Sequence, residues 1–114
     1  MLQIETSHEE KYALIVLKGE VDASNSVELD EAINGMVEDQ NTHMLIDATD
    51  LNYISSAGLG VFMSYLEDFQ EKSIRFVIFG LNDKVLHVFH ILGLDQLIKL
   101  KPDKVAALQE LYEA

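Results

Sequence analysis

The chain has 114 residues, of which 48% are apolar, with a single proline and no cysteine. This length and composition predict one globular domain over residues 1–114, and they exclude disulfides, thiolate metal sites and a disordered chain. The formal net charge of −12 at pH 7 argues against nucleic acid or an anionic membrane as a direct partner, and fits a protein that contacts other proteins.

No apolar stretch approaches the length of a membrane span, and acidic residues at Glu5, Glu9 and Glu10 interrupt any early apolar run. We therefore expect a cytoplasmic protein without a signal peptide or a membrane partner. A monomer is expected because the chain can bury its own core, although the predicted strand at Leu2 to Thr6 offers an exposed edge.

The first third of the chain predicts a hairpin and a helix. Leu2 to Thr6 alternates apolar and polar residues like an edge strand, and the apolar run Tyr12 to Leu17 predicts a central strand buried on both faces. Asn25 followed by Glu28 resembles a capping box that begins a helix. The apolar stripe of this predicted helix consists of Val27, Leu29, Ile33, Met36 and Val37.

A strand and a helix are predicted on either side of a pair of serines. Met44 to Ile46 predicts a short strand, and Asp47 and Asp50 predict a turn after it. The adjacent serines, Ser55 and Ser56, then stand at or just before the first turn of a helix. The apolar stripe of that helix consists of Leu59, Phe62, Met63, Leu66 and Phe69.

The remainder of the chain continues the alternation. Ile74 to Phe79 and Leu97 to Leu100 predict strands, Gly93 is typical of a helix C-cap, and Pro102 is expected to start the last helix. The apolar stripes of the two helices consist of Val85, Leu86, Phe89 and Leu92, and of Val105, Leu108, Leu111 and Tyr112. The order β-β-α-β-α-β-α-β-α predicts an α/β fold with a mixed sheet of about five strands and about four helices.

The serine pair lies where a phosphate would be well placed. Free backbone N–H groups and the helix macrodipole favour negative charge there, although a serine before an apolar helix is usually only an N-cap. Gly58 and Gly60 each cost roughly 1 kcal/mol relative to alanine in a helix, so something is expected to approach the backbone closely. The strand ends at Val21-Asp22 and at Ile54 are expected to be adjacent.

Catalytic and metal-dependent functions find little support. Ser56 lacks the GxSxG elbow of a hydrolase, because Tyr53 and Ile54 precede it. His87 and His90 could present two metal ligands on one helix face, but the spacing gives no third ligand. The acidic pair and the late lysine of a phosphorelay receiver are missing. We therefore expect no enzyme, no metal and no cofactor.

The stretch LIDATDLNYISSAGLGVF, at residues 45–62, is similar to the signature of the STAS domain in its small bacterial form, the anti-sigma factor antagonist. LKGEVDASNSVELDEAI before it and FVIFGLNDKVLHVFHILGLDQLIKL after it resemble further parts of the same family. The resemblance covers the chain from about Ile4 to Leu100, in the family's order. It departs from the family's commonest motif, D-S-[ST]-G, at Ser55 and Ala57.

The resemblance implies partner switching. Such an antagonist binds an anti-sigma factor that is also a serine kinase; phosphorylation by that kinase with ATP releases it, and a metal-dependent serine phosphatase restores it. Alignment on the glycines places the phosphoserine on Ser56, with Ser55 as an alternative acceptor. The implied partner-binding residues are Asp22, Ser24, Ser55, Ser56, Ala57, Gly58, Leu59 and Gly60. Two alternatives stay open: a STAS domain that binds without phosphorylation, such as a transporter accessory subunit, and a small-ligand sensor.

Overall fold

The computed structural model describes residues 1–113, and five β-strands and four α-helices lie in that span. The strands are β1 (Leu2–His8), β2 (Ala13–Val21), β3 (His43–Ile54), β4 (Arg75–Phe79) and β5 (Lys99–Lys101). The helices are α1 (Ser26–Glu38), α2 (Ser56–Glu71), α3 (Asp83–Ile91) and α4 (Lys104–Glu113), and a 3₁₀ turn at Leu94–Gln96 precedes β5. The predicted order is confirmed. None of these helices is long and apolar enough to cross a membrane.

The strands form one sheet in the order β1-β2-β3-β4-β5. β1 pairs with β2 in antiparallel orientation, whereas β2, β3, β4 and β5 run parallel to one another. The predicted hairpin and the predicted parallel crossovers are therefore confirmed. Because Val21 pairs with Ile54, the carboxyl ends of β2 and β3 lie side by side.

Helices cover both faces of the sheet, with α1, α2 and α3 on one face and α4 on the other. Alternate residues of β2 are buried under the first face, while Leu14 and Val16 on the opposite face are only half-buried. The prediction that this strand is buried on both faces was wrong, because α4 packs mainly on β3, β4 and β5.

β3 runs without a break through the residues that were predicted to form a turn. Asp47 and Asp50 both lie inside this strand, and the pairing with β2 shifts register between them. The Oδ1 atom of Asp47 accepts a hydrogen bond from the backbone N–H of Thr49 at 3.0 Å. An aspartate that binds its own backbone is typical of turns, but here it stabilises an irregularity within a strand.

The buried arc of each helix is narrower than the predicted apolar stripe. The predicted stripe residues that are at least 40% exposed are Val27, Met63, Leu86, Leu92, Val105 and Tyr112. Conversely, Gly58, Tyr65 and Ala107 are buried although they were not assigned to a stripe.

The last strand and the last helix begin later than predicted. The 3₁₀ turn delays the start of β5 to Lys99, and α4 begins at Lys104 instead of Pro102. Asp103 caps α4, since its Oδ1 atom accepts from the N–H of Ala106 at 2.9 Å. Gly93 has φ of 74°, as a C-cap glycine should.

Candidate functional site

The candidate site lies where β2 and β3 end next to each other. The backbone N–H of Ser55 donates to the carbonyl of Val21 at 2.8 Å, so the sheet pairing continues to the first residue after β3. The predicted adjacency of the two strand ends is confirmed. This contact fixes the start of α2 against the turn that leads from β2 into α1.

The turn after β2 is organised around the carboxylate of Asp22. Its Oδ1 atom accepts from the hydroxyl of Ser24 at 2.6 Å and from the backbone N–H of Ser24 at 2.9 Å. The Ser24 hydroxyl, and then the Ser24 N–H, hold the pKa of Asp22 below its ordinary value. Asp22 is therefore a fixed negative charge at the rim of the site.

The buried side chain of Asn25 stabilises this turn by hydrogen bonds to its backbone. Its side chain is 8% exposed; its Oδ1 accepts from the N–H of Asp22 at 2.8 Å and its Nδ2 donates to the carbonyl of Glu20 at 3.0 Å. Asn25 is the N-cap residue of α1, as predicted, but the predicted capping box with Glu28 is wrong, because the Asn25 side chain binds the backbone before it instead of the helix after it. An asparagine can serve either purpose, and local sequence does not distinguish them.

The two serines have different environments. Ser55 is the N-cap of α2, and its Oγ atom accepts from the N–H of Gly58 at 3.3 Å. Ser56 is the first residue of the helix, and its side chain is exposed. The predicted position of the pair at the helix start is confirmed, with the capping function assigned to Ser55.

The two glycines of the first helical turns serve different purposes. A Cβ atom on Gly58 would lie 2.6 Å from Cγ1 of Val21 and 2.7 Å from Cγ1 of Ile54, so only glycine lets α2 approach the strand ends this closely. A Cβ atom on Gly60 would meet nothing within 4 Å. The expected close approach is thus confirmed at Gly58, and no contact among the residues that the structure describes accounts for Gly60.

A shallow groove of about 340 Å³ separates the first halves of α1 and α2. It is lined by Ser26, Val27 and Asp30 of α1 and by Ala57, Gly60, Val61 and Ser64 of α2. Below it, the hydroxyl of Tyr65 donates to Oδ1 of Asp30 at 2.6 Å and joins the two helices. Burial, reinforced by this carboxylate, raises the pKa of Tyr65 well above its ordinary value, so the hydroxyl stays a donor.

The STAS domain family model matches residues 3–107, which is most of the chain and includes both strand ends. The chain belongs to the STAS domain family. An anti-sigma-B factor antagonist of Listeria monocytogenes is 32% identical to this STAS domain over 87 residues, which are 76% of each chain. The recognised resemblance is thereby confirmed.

Solved structures confirm the fold of this STAS domain. An anti-sigma factor antagonist from Mycobacterium paratuberculosis superposes with a TM-score of 0.91 at 20% identity, covering 99% of this chain and 96% of the other. The Bacillus cell fate determinant SpoIIAA, in its phosphorylated form, superposes with a TM-score of 0.70 at 17% identity, covering 96% and 97%. At such low identity these likenesses establish the architecture alone.

The STAS domain brings all eight predicted site residues to the two adjoining segments after β2 and β3, at different depths. Ser24, Ser56 and Gly60 are exposed, whereas Asp22, Ser55 and Ala57 are half-buried. Gly58 and Leu59 are buried and support the surface from below. The sequence analysis did not identify Asn25 as the residue that stabilises the turn after β2, or Tyr65 as the residue that joins α1 and α2 by a hydrogen bond. Tyr65 follows Phe62 by three residues, so the helical period alone could have indicated it.

The two histidines that were weighed as metal ligands lie elsewhere, on α3. Nδ1 of His90 is 2.7 Å from Oδ2 of Asp95, an exposed contact between α3 and the 3₁₀ turn. Across residues 1–113, no group of three or more His, Cys, Asp or Glu side chains is placed to hold a metal ion. His87 is exposed on the same helix.

Proposed function

We propose that this STAS domain is an anti-sigma factor antagonist that works by partner switching. In its unmodified form it binds an anti-sigma factor that is also a serine kinase, and phosphorylation of Ser56 releases that partner. A metal-dependent serine phosphatase then removes the phosphate. The role rests on the family and on the Listeria relative, which is named as an anti-sigma-B factor antagonist.

The observation that carries the proposal is the exposure of Ser56 at the first position of α2, beside the Asp22 turn. Free N–H groups at a helix start stabilise an added phosphate, so modification need not disturb the fold. The Oγ atom of Ser55 already serves as the helix cap, which favours Ser56 over Ser55 as the acceptor.

Charge explains how one phosphate would release a partner. It adds roughly −1.5 to −2 charges next to the fixed carboxylate of Asp22. An interface that covers Ser56 must then desolvate a dianion and a carboxylate together, which is costly in the low dielectric of an interface. A coupling of about 1–3 kcal/mol would lower the affinity roughly 5- to 150-fold.

Two substitutions at Ser56 test the switch. Anti-sigma factor kinases of the source organism are purified singly and titrated with each variant by calorimetry. Ser56→Ala is expected to keep the affinity of the unmodified protein, and Ser56→Asp to weaken it by about 5-fold or more. Ser73→Asp is the matched control, because it adds the same charge after the opposite end of α2 and is expected to bind normally.

Phosphate mapping of protein from its native cells completes the test. A phosphate on Ser56 supports the proposal, and a phosphate on Ser55 moves the acceptor by one residue. Equal affinity of Ser56→Ala and Ser56→Asp, with no phosphate under stress or starvation, contradicts the switch and favours a phosphorylation-independent binding subunit. A small molecule that copurifies in stoichiometric amount would instead favour a sensor.

A further inference from the structure

Gly60 has no structural explanation within the described chain. It lies inside α2, its φ is not positive, and a methyl group added there would meet no described atom within 4 Å beyond its chain neighbours and the local backbone of its own helix. Gly58, two residues earlier, is required because its absent side chain would collide with both strand ends. A helix normally favours alanine over glycine at an open position. The empty space over Gly60 is therefore available to another molecule.

The groove beside Gly60 has a mixed lining that includes three apolar side chains. Val27, Ala57 and Val61 line it, and Val27 is 57% exposed although it belongs to an otherwise buried stripe. Ser26, Asp30 and Ser64 also line it, and two of these polar side chains are hydrogen-bonded within the chain. The hydroxyl of Ser64 donates to the carbonyl of Val61 at 2.6 Å, and the carboxylate of Asp30 accepts from Tyr65.

Asp30 gives the α1 side of the groove a negative charge. Glu31 is exposed four residues after Val27, so the two lie on the same face of α1. Residues 19–71, which contain α1, β3 and α2, carry twelve acidic side chains and no lysine or arginine, so this segment alone accounts for a charge equal to that of the whole chain. An occupant with basic residues around an apolar centre would complement both properties.

We infer that this groove receives one apolar side chain of the anti-sigma factor, flanked by lysine or arginine residues that face α1. The inference rests on the proposed function and specifies the chemistry of its partner. Gly60 and Ser56 are four residues apart, so they lie on the same face of α2, one turn from each other. A phosphate on Ser56 is thus added one helical turn from the groove residue Gly60.

A pair of glycine substitutions tests the groove. Gly35 of α1 is the matched control, because it too lies inside a helix with nothing within 4 Å of an added Cβ, but outside the groove. Gly60→Ala and Gly35→Ala are each expected to raise Tm by a few degrees, since both helices gain a better helix former. The purified anti-sigma factor kinases of the source organism are then titrated with both variants and with the unchanged protein.

Gly60→Ala is expected to weaken binding by about tenfold and Gly60→Leu by more, whereas Gly35→Ala binds like the unchanged protein. If all variants bind the kinase with equal affinity, the inference that the partner occupies the groove is contradicted, while the antagonist function is left in place. A fall in Tm for Gly60→Ala also overturns it, because the fold would then require the glycine. If no kinase binds the unchanged protein, the proposed function fails and the inference fails with it.

Discussion

At the scale of single residues, the site depends on a carboxylate that its own turn keeps ionised. Two hydrogen bonds from Ser24 stabilise the charged form of Asp22 and lower its pKa from the ordinary value of 3.8. A carboxyl group whose pKa is lower in the folded state stabilises the fold above its ordinary pKa. That contribution is lost as the pH falls through the lowered value.

Ser24→Ala removes the hydroxyl that contributes most to this shift. The pKa of Asp22 is expected to rise towards its ordinary value, because the largest of the interactions that lower it is lost and only smaller ones, such as the backbone hydrogen bond from residue 24, remain. The titration of the Asp22 carboxyl carbon, followed by NMR between about pH 2 and 6, measures the change around the ordinary aspartate pKa. Ser7→Ala removes a hydroxyl that donates to Glu9 and should leave Asp22 unaffected; an unchanged Asp22 in Ser24→Ala would contradict the assignment.

At the scale of elements, the spacing of α1 and α2 defines the candidate surface. The hydroxyl of Tyr65 donates to Oδ1 of Asp30 at 2.6 Å and lies 3.1 Å from the Asp30 carbonyl oxygen. Tyr65 also stacks on Phe69, which packs against Phe76 of β4. Tyr65 thus connects α1 and α2 directly, and contacts the sheet through Phe69.

Tyr65→Phe tests this link between the helices. Loss of the hydroxyl removes a hydrogen bond to a carboxylate, so the free energy of unfolding is expected to fall by about 1–2 kcal/mol. Urea denaturation, monitored by circular dichroism, measures this change in the free energy of unfolding. Tyr53→Phe is the matched control, because Tyr53 is half-exposed and a change there should cost much less. Similar losses for both variants would show that the Tyr65 hydroxyl contributes little.

The sequence predicted the elements better than their internal irregularities. Apolar runs such as Ile74 to Phe79 and the serine pair before α2 carry their own local signals, and both were placed correctly. The irregularity at Asp47 was predicted as a turn, because pairing with β2 decides that the strand continues. The role of Asn25 was missed for a similar reason, since its partners become visible only when β2 and α1 meet.

At the scale of the whole molecule, charge is unevenly distributed along the chain. The acidic segment 19–71 contains no lysine or arginine, while residues 72–114 carry six basic and five acidic side chains. The acidic segment supplies α1, β3 and α2, which adjoin one another in the fold. Repulsion among like charges in a compact region opposes folding, and the same charge would attract a basic partner.

Salt is therefore expected to stabilise this protein. At about 0.01 M ionic strength charges interact over roughly 30 Å, which is comparable to the whole domain, whereas at 0.1 M the range falls to about 10 Å. The free energy of unfolding should rise with NaCl across this range, by about 1 kcal/mol. The chain has no tryptophan, so circular dichroism at fixed pH is the suitable probe for urea titrations.

A matched pair of variants tests the source of this effect. In Glu31→Gln, in the acidic segment, the free energy of unfolding should rise by a few tenths of a kcal/mol at low salt and should respond less to NaCl. Lys84→Gln, on α3, removes a charge of the opposite sign and should not raise the free energy of unfolding at low salt. A free energy of unfolding that stays constant or falls as NaCl is added would show that repulsion within the acidic segment is small.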